Sequence, residues 1–244
     1  MSITDLIPIP PGINPAQSPA RQRTMLSLFG NPRGSYTQQC QPVTNPNLAA
    51  MMVTASVGPF RVTGLEPAVT SLRAVMAEVQ ATHAEVYAAL GTAGMLCARL
   101  VRGSTASISN HAWGTAVDLT LNGILDPRGD GRVQEGLARI APLFNRHGWY
   151  WGAGFRIEDA MHFEIAEETL HSWHAQGGLG SVPTAPLASV LSVGDRGPEV
   201  KALQEALNAH GAGVAVDGSF GPQTAAAVID FQRSRGLLAD GVGG

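Results

Sequence analysis

Cysteine is scarce in this chain of 244 residues: only Cys40 and Cys97 occur. Neither sits in a C-x-x-C arrangement, so a cysteine-built zinc knuckle is not expected. One disulfide is open to them. Two free buried thiols are equally open, because no secretory signal is in view. The N-terminal stretch "MSITDLIPIPPGINPAQSPARQR" has no basic start followed by an apolar block. No apolar run approaches the ~18 residues of a membrane-spanning helix, so membrane insertion is not expected. A basic excess is also missing. The formal charge is −3, against the basic patch of most nucleic-acid binders, so nucleic acid is not an expected partner.

What is present is apolar: 44% hydrophobic residues and a mean hydropathy of +0.06 indicate a globular protein with a core. The length suits one medium and one small domain, at ~100–200 residues per domain. Residues 1–26, rich in Pro, Ser and Gln, read as an extended arm. "EPAVTSLRAVMAEVQATHAEVYAAL" (66–90) reads as one helix, with Val69, Leu72, Val75, Met76 and Val79 at helical spacing and Pro67 in its first turn. "GMLCARLV" (94–101) reads as a strand. "TAVDLTL" alternates, placing Ala116, Asp118 and Thr120 on one face of a strand and Val117, Leu119 and Leu121 on the other. A second helix is expected in "VQEGLARIAPLFNRHG", closed by Gly148. "MHFEI" then alternates again, with His162 and Glu164 sharing a face. Helices interspersed with short strands suggest an α+β domain with an antiparallel sheet and flanking helices.

A Gly/Pro/Ala/Ser-rich stretch, 177–190, reads as a linker. Beyond it, 191–244 carries two short amphipathic patterns: Val200, Leu203 and Leu207 in one, Val228 and Phe231 in the other. The turn-forming repeats "DGSFG" and "DGVGG" accompany them. A small C-terminal helical domain is the expectation.

Two polar clusters fall on the strand-like segments of the larger domain: His111 with Asp118, and Asp159 with His162 and Glu164. A catalytic zinc site needs three N or O protein ligands and one open position. Asp118 and His162 converge if their strands pair, and His111 reaches in from a loop that Gly114 allows to turn tightly. A lone His or Asp is usually a satisfied or solvated residue. Asp118 is nevertheless out of place among Ala, Val and Leu, because burying an unpaired carboxylate is costly. "DPRGDG" has the outline of a calcium loop, but Arg128 and Leu137 occupy positions that need acidic ligands. An HD-type phosphohydrolase would need an adjacent His-Asp pair, which this sequence lacks.

"SISNHAWGTAVD" resembles the S-x-H-x-x-G-x-A-x-D signature of the zinc D-alanyl-D-alanine carboxypeptidase and L-alanyl-D-glutamate endopeptidase family. That family includes vancomycin-resistance D,D-peptidases and many phage endolysins. "DAMHFE" resembles its second signature, in the family's order, and the likeness spans roughly Leu28–Leu170. It implies a catalytic domain over 27–176 holding one zinc ion on His111, Asp118 and His162. It also implies Asp159 as general base, with Glu158 next door, and Arg99 as the substrate-positioning arginine, with Arg102 behind it. Glu164, Ser109, Trp113 and Trp151 would support the ligands or wall the cleft. Asp rather than Glu at 159, followed by H-F-E, favours the endopeptidase subgroup.

The C-terminal segment "VGDRGPEVKALQEAL…DGSFGPQTAAAVIDFQ" resembles the small peptidoglycan-binding domain of cell-wall hydrolases. It stops ahead of the third helix of that family, so a truncated module is expected. Bacterial peptidoglycan is then the implied partner, with a monomer as the working expectation. Action would be on the wall, after release at host lysis or from a phage particle. A zinc-containing wall-binding protein without catalysis is the alternative from another class.

Overall fold

The computed structural model describes residues 2–179, 191–235, 239–241 and 243. The chain opens on β1 (Leu6–Pro8) and α1 (Gln22–Phe29), then α2 (Pro46–Ala50), β2 (Met52–Ser56) and β3 (Arg61–Leu65). Next come α3 (Glu66–Thr82), α4 (Ala84–Ala89), β4 (Leu90–Gly94) and β5 (Ala116–Leu121). These are followed by β6 (Arg132–Gln134), α5 (Glu135–Arg146), β7 (Trp149–Trp151), β8 (His162–Ile165) and α6 (Glu167–Ala175). The expected α+β class with an antiparallel sheet is borne out. A four-stranded sheet in the order β4-β5-β8-β7 forms its centre, every pairing antiparallel.

The sheet follows from alternation that buries one face of each strand. Val117 and Phe163 pair across β5 and β8, and both are fully buried. Phe163 packs on Phe144 of α5, centroids 4.0 Å apart, and stacks on Trp151 at 6.0 Å. Removing one such side chain would cost about 3–5 kcal/mol. The opposite face carries Asp118 directly across from His162, and Ala116 across from Glu164. The core thus fixes a register that brings the two polar residues together.

Four expectations need correction. Residues 2–26 are not a free arm. β1 pairs with β6, Ile3 is buried, and Asn14 donates from Nδ2 to the Trp151 carbonyl while its Oδ1 accepts the Trp151 amide. The single helix over 66–90 is two, broken at His83 (φ −138°), where Thr82 Oγ1 donates back to the Glu78 carbonyl. The strand expected at 94–101 lies earlier, at β4. Residues 95–101 instead run irregularly, held by isolated bridges of Ala98 with Gln41 and Leu100 with Ile108. The free-thiol alternative also falls, because Cys40 and Cys97 form a disulfide with Cα atoms 5.0 Å apart, tying this segment down.

Of the linker, 180–190 lie outside the described residues. The C-terminal unit contains α7 (Pro198–Ala209) and α8 (Pro222–Ser234), the two helices read from the sequence. Val200, Leu207, Phe220 and Val228 form its small core. Buried Gln204 ties the unit together, donating to Asp217 and Thr224 and accepting from the Gly218 amide. No helix among the described residues is long and apolar enough to cross a membrane.

Candidate metal centre

Three elements deliver three side chains to one point. His111 sits in a 3₁₀ turn, Asn110–Trp113, ended by Gly114 in the left-handed conformation (φ +63°). A Cβ on Gly114 would come within 2.8 Å of Gly64 Cα and Leu65 N, so only glycine fits where this turn crosses β3. Asp118 comes from β5 and His162 from β8. His111 Nε2 lies 3.2 Å from Asp118 Oδ1 and 3.2 Å from His162 Nδ1, and the latter two atoms are 3.1 Å apart. An ion held tetrahedrally at ~2.0–2.1 Å needs ligand atoms roughly 3.3 Å apart. The triangle therefore fits one zinc ion with a vertex left over, and the N, N, O donor set suits that metal.

The remaining ring nitrogens are also held. His111 Nδ1 lies 2.9 Å from the Met95 carbonyl, and His162 Nε2 lies 2.9 Å from Glu164 Oε2. Such contacts fix the tautomer and aim the free nitrogen. Glu164 is itself anchored by the Ala20 amide and by Asn110 Nδ2.

Without a cation the three groups perturb one another. Burial alone would drive the His162 imidazole down. Its contacts with Asp118 and Glu164 outweigh that and push it up to about 10. Burial alone would raise Asp118, but His111 and His162 hold it well below the usual carboxylate range. The cluster thus stabilises positive charge at its centre.

The triad opens on a cleft of about 560 Å³ that Arg99, Ser109, Asp159 and Glu164 also line. Burial pushes the Asp159 carboxyl up, against the pull of His162, Arg128 and His111. Its Oδ2 lies 3.2 Å from Arg128 Nε, and its Oδ1 is buried with no hydrogen-bond partner among the described residues. Glu158 points elsewhere. Its carboxylate accepts the amides of Gly129, Asp130 and Gly131, so it holds a loop rather than facing the triad. Arg99 is half-buried, and desolvation lowers its guanidinium, which donates to the Leu100 carbonyl. Arg102 lines the same cleft.

The two tryptophans do not. Trp113 is fully buried and donates from Nε1 to the Gly30 carbonyl; Trp151 is fully buried and donates to the Ala160 carbonyl. Each indole N–H finds its partner in a backbone carbonyl outside the cleft, which turns the ring away from it. The aromatic wall is Phe155, tilted against His162 at 5.6 Å. Sequence reading missed Phe155 and Asn110, and weighed Arg128 only as a residue that spoils a calcium loop.

Fold and site define the class: a His-Asp-His cluster able to hold one cation on an antiparallel sheet, with a C-terminal helical unit. Residues 102–165 match the family D-alanyl-D-alanine carboxypeptidase, and residues 196–244 match the putative peptidoglycan binding domain, so both resemblances are borne out. The zinc D-Ala-D-Ala carboxypeptidase of Streptomyces albus G is 45% identical over 60 residues, which cover 23% of this chain and 24% of that protein. The chain thus spans about a quarter of the length of that curated relative. No solved structure matches.

Proposed function

We propose that this protein is a zinc-dependent hydrolase of peptidoglycan stem peptides, cutting between L-Ala and D-Glu. The observation that carries the reading is the convergence of His111, Asp118 and His162 on one point of a cleft shared with Asp159 and Arg99. Zinc bound there supplies Lewis acidity, acidifying water and polarising a carbonyl. Asp159, its carboxyl raised by burial, accepts the proton of the attacking water and passes it to the leaving amine. Arg99 offers positive charge to the oxygen that becomes anionic. Glu164 and the Met95 carbonyl hold the two imidazoles in place, and buried Ser109 lines the same cleft.

Two units divide the work in this reading: a catalytic domain through residue 176, now including residues 2–26, and a wall-binding module over 191–244. The place of action is the cell wall, reached at host lysis or on a phage particle. The peptide bond is assigned from Asp at 159 followed by His-Phe-Glu. A D-alanyl-D-alanine carboxypeptidase is the second reading, favoured by the names of both the matched family and the Streptomyces relative.

Mass spectrometry of products from purified peptidoglycan separates the two readings. New N-terminal D-Glu supports the endopeptidase, and released D-Ala supports the carboxypeptidase. Asp159→Asn should lower turnover by about 10²–10⁴-fold with zinc content unchanged. A variant as active as the wild type would remove Asp159 from the mechanism, whereas a zinc-loaded wild type that hydrolyses no wall peptide would leave the non-catalytic wall binder standing.

A further inference from the structure

The charge lining the cleft is not explained by hydrolysis alone. Four of the sixteen Lys and Arg side chains of this net-negative chain line it: Arg99, Arg102, Arg128 and Arg156. Among the described residues only Arg128 of the four has an acidic partner, Asp159. Arg99, Arg102 and Arg156 form no ion pair among the described residues. The other acidic groups of the cleft are occupied: Asp118 lies within the triad, and Glu164 is taken by His162, Asn110 and the Ala20 amide. A bound dication would add further positive charge.

The arginines also come from separate segments. Arg99 and Arg102 belong to the run tied down by the Cys40–Cys97 disulfide. Arg128 belongs to the loop that Glu158 clamps, and Arg156 to the turn after β7. Between them, Leu125 and Ile157 line the cleft as exposed apolar side chains, 42% and 46% accessible. One carboxylate would leave most of this charge uncompensated. A ligand with several, spaced by short aliphatic groups, would meet it. Complementarity of this kind sets specificity and encounter rate.

Resting on the hydrolase reading above, we propose that the cleft selects peptides carrying at least two free carboxylates, with Arg102 and Arg156 as specificity-determining residues. Amidated stem peptides are then poor substrates.

The test uses the full zinc-loaded chain and two synthetic stem peptides with lysine as third residue and a free C-terminus, differing only in the α-carboxyl of the second residue, so that one carries two free carboxylates and its amidated counterpart one. The free acid should be preferred in kcat/KM by roughly 10-fold or more, mainly through KM, as expected for loss of a charge-assisted contact. In the Arg102→Gln/Arg156→Gln double variant the ratio should fall towards one, with zinc content unchanged. Equal kcat/KM on both peptides in the wild type overturns the inference while leaving the hydrolase reading intact. So does a preference that persists in the double variant. No zinc-dependent cleavage of either peptide sinks the hydrolase reading and the inference with it.

Discussion

Metal binding at this centre should be proton-coupled, and the structure sets the stoichiometry. With no cation bound, His162 is flanked by Asp118 Oδ1 at 3.1 Å and Glu164 Oε2 at 2.9 Å, and its imidazole is pushed up to about 10. Asp118 is held in the opposite direction and carries no proton near neutrality. Between pH 7 and 9 the incoming ion therefore expels one proton from His162. Apparent affinity should rise about tenfold per pH unit, or about 1.4 kcal/mol, and level off above pH 10. The stability linkage has the matching sign. A histidine raised above its unfolded value of 6.5 stabilises the metal-free fold fully below that pH, and this stabilisation is lost as pH rises through 10. The melting-temperature gap between zinc-loaded and stripped protein should therefore widen with pH. Free zinc at about 1,000 times Kd stabilises by about 4 kcal/mol, or roughly 8–16 °C at ~2–4 °C per kcal/mol for a domain of this size. One pH unit higher, the same free zinc should add roughly 3–6 °C more. Calorimetric titration in buffers of different ionisation enthalpy, with zinc held by a competing chelator, counts the protons. Affinity that stays flat from pH 7 to 9, or no proton release, would refute the reasoning.

Glu164→Gln keeps the shape beside His162 Nε2 but removes the charge, and should weaken zinc affinity by about 10–100-fold in a chelator competition; unchanged affinity would reduce Glu164 to packing. Asp126 is buried, and burial pushes its carboxyl up to about 6 although Oδ2 accepts the Gln134 amide. Folding therefore favours the protonated form, so wild-type stability should fall as pH rises from about 4 to 6. Asp126→Asn should remove that contribution and stabilise by up to about 3 kcal/mol above pH 7, read by chemical denaturation at both pH values. The Cys40–Cys97 bridge closes a separation of 57 residues. Replacing both cysteines by serine should cost up to about 4 kcal/mol of unfolding free energy on the chain-entropy argument, and a loss below 1 kcal/mol would contradict it.

The centre was legible in sequence where a residue broke the rule of its own element. Asp118 among Ala, Val and Leu in an alternating strand demanded a partner, and β8 supplies His162 opposite it. Which strand would pair in which register was not legible, because pairing depends on contacts more than forty residues apart. Where local pattern and tertiary contact disagree, the pattern misleads. "MLCARLV" has the composition of a strand, yet "LGTAG" takes the edge of the sheet. A Cβ on Gly91 would come within 2.6 Å of Thr120 Oγ1, so glycine lets the two chains approach. Trp113 and Trp151 stand near the ligands in sequence, but a buried indole goes where its N–H finds an acceptor, and the two acceptors are the carbonyls of Gly30 and Ala160, away from the cleft. Residues 2–26 do carry apolar side chains, Ile3, Ile7, Ile9 and Ile13 among them, but prolines interrupt any regular pattern, and nothing local announces that Asn14 will bracket Trp151 from 137 positions away. Arg128 shows the same limit at the site itself. Within "DPRGDG" it is only a cation in the wrong place for calcium. It faces Asp159 because Glu158, one residue earlier, grips the backbone of Arg128's own loop. Adjacent carboxylates at 158 and 159 thus do separate jobs, one on the backbone of a loop and one on its side chain, a division that only the folded chain makes visible.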